Sequence, residues 1–101
     1  MPARVSGPRT REKFTYLRKY ATAFMTAMQG KWDQLVYIDL LAGPGRGIDA
    51  DTREEFDGSA LIALGVRPPF DRLFFGEINR KNVEALRGRI PAEDLPRVDL
   101  R

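Results

Sequence analysis

The chain has 101 residues, 43% hydrophobic and 31% charged, which describes one folded domain or part of one rather than a disordered tail. It contains no cysteine and no histidine, so disulfides, thiolate nucleophiles, histidine general bases and the usual zinc sites are excluded together, and no metal site is expected. No apolar run approaches the roughly 18 residues that span a bilayer, and the N-terminus lacks the apolar centre of a secretory signal; the expectation is a cytoplasmic protein.

The net charge of +3 conceals an asymmetry. Residues 1–31 hold seven Lys or Arg (Arg4, Arg9, Arg11, Lys13, Arg18, Lys19, Lys31) against Glu12 alone, and residues 32–101 hold ten basic and thirteen acidic groups. A basic arm of this kind suits nucleic-acid phosphates, and it equally suits a solvated helix face.

Residues 1–9, with Pro2, Gly7 and Pro8, read as a flexible basic leader. From Thr10 the apolar positions Phe14, Leu17, Ala21, Phe24, Met25 and Met28 recur at helical spacing. The pattern predicts a helix capped by Thr10 and ended by Gly30, its stripe packed on a sheet. Residues 35–41, "LVYIDLL", form a continuous apolar run, as in a strand covered on both faces. The loop with Gly43, Gly45 and Gly47 follows, and then the acidic run Asp49, Asp51, Glu54, Glu55 and Asp57, which reads as an exposed insertion. "GSALIAL" begins a second helix with Ser59 as its cap, "DRLFFGEI" a second strand ending at Gly76 and Glu77, and Asn79 caps a third helix carrying Val83, Leu86 and Ile90. "RVDLR" begins a third strand.

Strands alternating with helices predict an α/β fold: a Rossmann-like parallel sheet with right-handed crossovers and helices on both faces. Only the N-terminal half, about three strands preceded by an N-terminal helix, is expected here, residues 10–101 being the N-terminal part of a single domain. In the order 3-2-1 the first strand, apolar like a central one, would keep a bare edge, which implies a longer domain or a covering partner chain.

At the carboxyl end of a parallel strand, glycines let the chain turn sharply and let a ligand approach the amides. The dinucleotide fingerprint is G-x-G-x-x-G with a helix starting at once. Here the glycines fall as G-x-G-x-G, about a dozen residues precede Ser59, and Asp39 stands four residues before the first glycine, where it would repel a pyrophosphate. A cationic cofactor without phosphate, S-adenosyl-L-methionine, is expected instead of NAD. Glu77 would accept hydrogen bonds from both ribose hydroxyls and Ile78 would lie against the adenine. Tight turning alone would also account for the glycines, and the two acids could serve as a strand-end cap and an acceptor for loop amides.

Read together, "YIDLLAGPGRG", "GSALIAL" and "FFGEINRKN", behind a helix of the "FTYLRKYATAFMTAM" type, resemble the three-Cys-motif partner proteins, a family of class I S-adenosylmethionine-dependent methyltransferase-like Rossmann folds. The resemblance spans roughly residues 10–90; Leu41 replaces an aromatic and Ala60 a proline. It implies a cofactor site with Asp39, Gly43, Pro44, Gly45 and Gly47 in the first motif and Glu77 and Ile78 in the second, and a functional partner bearing a three-cysteine motif of the radical S-adenosylmethionine type. The fourth strand, where such enzymes place residues facing the methyl acceptor, is absent from these residues. The expectation is therefore the cofactor-binding portion of a methyltransferase-like protein, not a complete enzyme. Two alternatives stand beside it: a nucleic-acid binding or processing module working through the basic arm, and a non-catalytic interaction partner whose glycine loop is vestigial.

Overall fold

The computed structural model describes residues 3–6 and 8–101. The chain runs β1 (Arg4–Ser6), α1 (Pro8–Met28), β2 (Val36–Asp39), β3 (Arg46–Asp49), β4 (Glu55–Asp57), α2 (Ser59–Gly65), β5 (Arg72–Phe75), α3 (Arg80–Arg89), a 3-10 helix (Ala92–Arg97) and β6 (Val98–Leu100). It is an α/β structure whose main sheet, of order β2-β5-β6, is parallel throughout, with Tyr37 opposite Leu73 and Leu73 opposite Val98. A Rossmann-like half-sheet preceded by an N-terminal helix is thus the architecture.

Local chemistry explains the elements. Gly30, at φ 77°, closes α1 in the left-handed region that favours glycine. Asn79 Oδ1 accepts from the Lys81 and Asn82 amides, so α3 starts where its cap lies. Along β5, Leu73 and Phe75 are buried while Arg72 and Phe74 are exposed, the two-residue period of a strand with one covered face. Ala21 and Met25 of α1, Ala60, Ala63 and Leu64 of α2, and Leu86 of α3 gather with Leu73 and Phe75 into one cluster. Burying a side chain such as Leu73 or Leu86 contributes about 1.5–3 kcal/mol. Arg97, at the end of the 3-10 helix, braces this core by donating to the carbonyls of Phe70 (2.7 Å) and Leu64 (2.9 Å) while paired with Asp94 (3.0 Å).

The three helices all supply that one cluster, so they cover the same face. The opposite face, carrying Val36, Ile38 and Phe74, has no helix over it among the described residues and is exposed. Crossovers that advance the sheet in one direction, β2 to β5 to β6, put their helices on one side, and helices reach the second face only where the strand order reverses.

The N-terminal leader and the acidic insertion differ from expectation. Arg4–Ser6 pairs in parallel with Gly47–Asp49, and Arg46–Ile48 pairs antiparallel with Glu55–Asp57, giving a second small sheet of order β1-β3-β4. Pro2 and Gly7, on which the leader reading partly rested, lie outside the described residues. α1 starts at Pro8, two residues before the expected Thr10 cap, because proline's fixed φ suits the first helical turn. Phe56 joins this sheet to α1 through Phe14, with ring centroids 6.0 Å apart at 52°.

Gly47 exists for this packing: a Cβ there would lie inside contact distance of the Phe56 ring, whereas a Cβ on Gly65 would meet nothing within 4 Å. Gly47→Ala should therefore lower the unfolding free energy by about 1–3 kcal/mol through overpacking. Gly65→Ala should leave it unchanged or raise it by up to about 1 kcal/mol. Urea midpoints of the two variants test this, and equal effects would contradict it.

Candidate functional site

The glycine loop leaves β2 at the carboxyl edge of the main sheet. Gly43 (φ 70°) and Gly45 (φ 93°) are both left-handed, and a Cβ on Gly45 would sit 2.9 Å from Leu86 Cδ1, so neither position takes a side chain cheaply. Three neighbouring elements hold the loop's backbone. The Gly43 amide donates to Glu77 Oε1 (3.0 Å), Arg89 Nη1 of α3 donates to the Pro44 carbonyl (2.8 Å), and the Gly58 amide ahead of α2 donates to the Gly45 carbonyl (2.8 Å).

Asp39 ends β2 with its carboxylate engaged by donors rather than cations. The Leu41 amide donates to Oδ1 (3.1 Å), and the Ser59 hydroxyl donates to Oδ2. The Tyr37 hydroxyl donates to it as well; burial first, then the charge and hydrogen bond of Asp39, push the Tyr37 phenol up to about 12. Glu77 likewise joins two segments, with Oε2 accepting from the Asn79 amide (2.8 Å).

These groups border a cleft of about 640 Å³ between the loop and α1. Asp39, Gly43, Pro44, Gly45 and Gly47 line it together. Glu77 is not part of its wall and meets the loop at the Gly43 amide. Ile78 is 98% exposed and lies outside the cleft.

Two expectations about this region need correction. Ser59 does not cap α2: Gly58 occupies that position, and the Ser59 side chain turns to Asp39 instead. Nor is α2 remote from the loop. The residues between Gly47 and Ser59 fold out as the β3–β4 hairpin and return the chain to the Gly45 carbonyl, so Gly58 and Ser59 border the cleft. The expectation against phosphate is therefore left with Asp39 alone, without a displaced helix to support it. The acidic segment is not simply exposed either. Asp49 is 6% exposed, and its carboxyl lies below the usual range because the Asp51 and Thr52 amides donate to it (2.9 and 3.2 Å), with Arg11 nearby.

The opposite wall was missed in the sequence. Lys13, Phe14 and Leu17 of α1 line the cleft, although the apolar stripe pointed only to core packing. The signal was available: Lys13 lies four residues before Leu17, hence on the same helical face. The cleft thus offers the Asp39 carboxylate, the Lys13 ammonium and the Arg46 guanidinium, the last paired with Asp57 (3.3 Å). Charges of both signs at its wall suit a zwitterion; Asp39 is occupied by donors and Tyr37 holds its proton too tightly to act as a base near neutrality.

No family model, curated protein or solved structure matches the chain. No described helix is long and apolar enough to cross a membrane.

The raised Tyr37 phenol makes a pH prediction. Below pH 10 the folded and unfolded states both hold this proton; between 10 and about 12 only the folded state does. Its contribution to stability is complete below 10 and is lost as pH rises through about 12. Absorbance titration near 295 nm should place Tyr37 in that range, and Asp39→Asn should move it down towards, but not to, 10, because burial is the larger cause. A titration unchanged by Asp39→Asn would contradict the hydrogen bond.

Proposed function

We propose that the cleft binds S-adenosyl-L-methionine and that the chain is the cofactor-binding portion of a methyltransferase-like protein of the three-Cys-motif partner type. The carrying observation is the charge of the cleft. Asp39 on the loop side is in no ion pair among the described residues, Lys13 lines the same space, and Arg46, also in the wall, is paired with Asp57. A pyrophosphate would meet the Asp39 carboxylate; a sulfonium and an ammonium are attracted by it, and the amino-acid carboxylate of the same ligand suits Lys13. Gly43, Pro44 and Gly45 line the cleft, so a ligand there would lie along the loop. Glu77 and Ile78 follow β5 next to the loop, and in this reading Glu77 would meet the ribose hydroxyls and Ile78 the adenine, both at the border of the cleft.

Bound cofactor would supply an electrophilic methyl group. The chain's own residues would orient it for in-line displacement, which depends mainly on positioning, and none of them is assigned as general base. A radical S-adenosylmethionine-type protein with a three-cysteine motif is the partner this reading favours. The second reading, nucleic-acid binding through α1, draws on Lys13, Lys19 and Lys31, which form no ion pair among the described residues. It calls for affinity that falls steeply with salt and survives Glu77→Ala.

Titration calorimetry separates the readings. S-adenosylmethionine should bind in preference to NAD. Lys13→Ala, a change on an exposed side chain, should weaken S-adenosylmethionine by about tenfold, as expected for one charge-assisted contact, while leaving its decarboxylated analogue unaffected. Preference for NAD would overturn the assignment.

A further inference from the structure

A second cleft, of about 390 Å³, lies on another flank of α1, between that helix, the β3–β4 hairpin and Ile62 of α2. Arg11, Thr15 and Arg18 follow one another at spacings of four and three residues and form its helical wall. At about 3.6 residues per turn, Arg11 and Arg18 stand on the opposite side of α1 from Lys13 and Tyr20. β2 contributes nothing to this cleft; its open edge borders the first one, at Ile38 and Leu40. A sheet continued past β2 would therefore grow on the Lys13 flank of α1 and leave the second cleft as it is.

Most of the charges around it are already paired. Arg11 holds Glu54 (3.2 Å), and Arg46 holds Asp57 through Nε (3.3 Å). Arg18 on α1 and Glu55 on β4 also line the cleft, and neither is in an ion pair among the described residues. The cleft thus keeps one guanidinium and one carboxylate for a ligand, each on a different wall. Its apolar lining is Phe14, Phe56 and Ile62. The Phe56 ring is held in place, with Gly47 packed against it and Phe14 tilted at 52° beside it. Phe14 and Arg46 line both clefts and form the partition between them.

We infer that this second cleft binds one phosphorylated nucleoside, either free or at the end of a nucleic-acid strand. The ligand has to bring an anion to Arg18, a flat ring to the phenylalanines and N–H donors to Glu55. A nucleotide carries all three, in its phosphate, its base and the exocyclic amine of that base. Guanidinium groups match phosphate with a planar fork of donors, and Arg11 and Arg46 have more donors than their acids engage. An acidic peptide would set further carboxylates against Glu55 and Asp57, and inorganic phosphate would leave the phenylalanines uncovered. The volume lies at the low end of the roughly 300–1,000 Å³ usual for small-molecule sites, which suits a single nucleotide. Lys13 and Lys19 do not line this cleft, so the site is distinct from nucleic-acid binding along the lysines of α1. The inference is independent of what the first cleft binds.

The test is amide-resolved NMR of the whole protein titrated with cytidine monophosphate. Saturable shifts are expected at Thr15, Arg18, Glu55 and Phe56. Arg18→Ala, a change on an exposed and unpaired side chain, should weaken binding about tenfold, while Lys13→Ala leaves it unchanged. Uridine monophosphate, whose base has no exocyclic amine, should bind more weakly, and Glu55→Ala should bring the two nucleotides to equal affinity. An oligocytidylate phosphorylated at its end distinguishes the two sources of the ligand: tighter binding than the mononucleotide assigns the site to a strand end, and equal or weaker binding to a free nucleotide. No saturable shift, affinity indifferent to Arg18→Ala, inorganic phosphate bound as tightly as the nucleotide, or shifts centred on Gly43 and Lys13 would each overturn the inference.

Discussion

The structure turns on three buried backbone residues, Gly43, Pro44 and Gly45. Two of them hold a left-handed conformation, and each presents a backbone group that a different element satisfies: the strand-end acid Glu77, Arg89 of α3, and the Gly58 amide that opens α2. A buried polar group left without a partner costs about 1–3 kcal/mol, so the loop and its neighbours fix one another. The carboxyl ends of β2 and β5 and the approaches of two helices are thereby brought to one place. The cleft is the space left between this assembly and α1.

The two acids that end β2 and β3 illustrate one device used twice. Asp39 accepts from the Leu41 amide and Asp49 from the Asp51 and Thr52 amides, so each side chain turns the chain that follows its own strand. Their surroundings then separate them. Asp49 is buried in the hairpin near Arg11 and serves that sheet alone. Asp39 borders the cleft, where its partners are the hydroxyls of Tyr37 and Ser59, so its negative charge is solvated by donors and not cancelled. That difference is what places a carboxylate at the cleft wall.

Much of the main sheet was legible because its signals are local. Asn79 announces α3, Gly30 ends α1, and the apolar runs at Tyr37 and Phe75 mark strands whose order follows from alternation with helices. The small second sheet was not legible. β1 has three residues and its pairing with Ile48 spans more than forty positions, while five acids mask the alternation of Ile48 and Phe56. Gly47, read as part of a ligand loop, answers to the Phe56 ring, a contact no spacing announces. The same limit applies to the site. Asp39 and the glycines were visible as a motif, but Lys13 joins them only because α1 crosses the loop, and a helix's placement over a sheet is a tertiary fact. Conversely, the twelve-residue delay before Ser59 is real in the sequence and vanishes in space, because the hairpin closes it.

The central claim is that the loop held by Glu77, Arg89 and Gly58 forms, with Lys13, the frame of a S-adenosylmethionine site. Amide-resolved NMR during titration with S-adenosylmethionine tests it most directly. The account predicts shifts concentrated at Gly43, Gly45, Glu77 and Lys13, with the hairpin turn at Asp51 and Thr52 unmoved. Saturable binding that shifts the hairpin turn or the α1 surface and leaves Gly43 and Gly45 in place would contradict it.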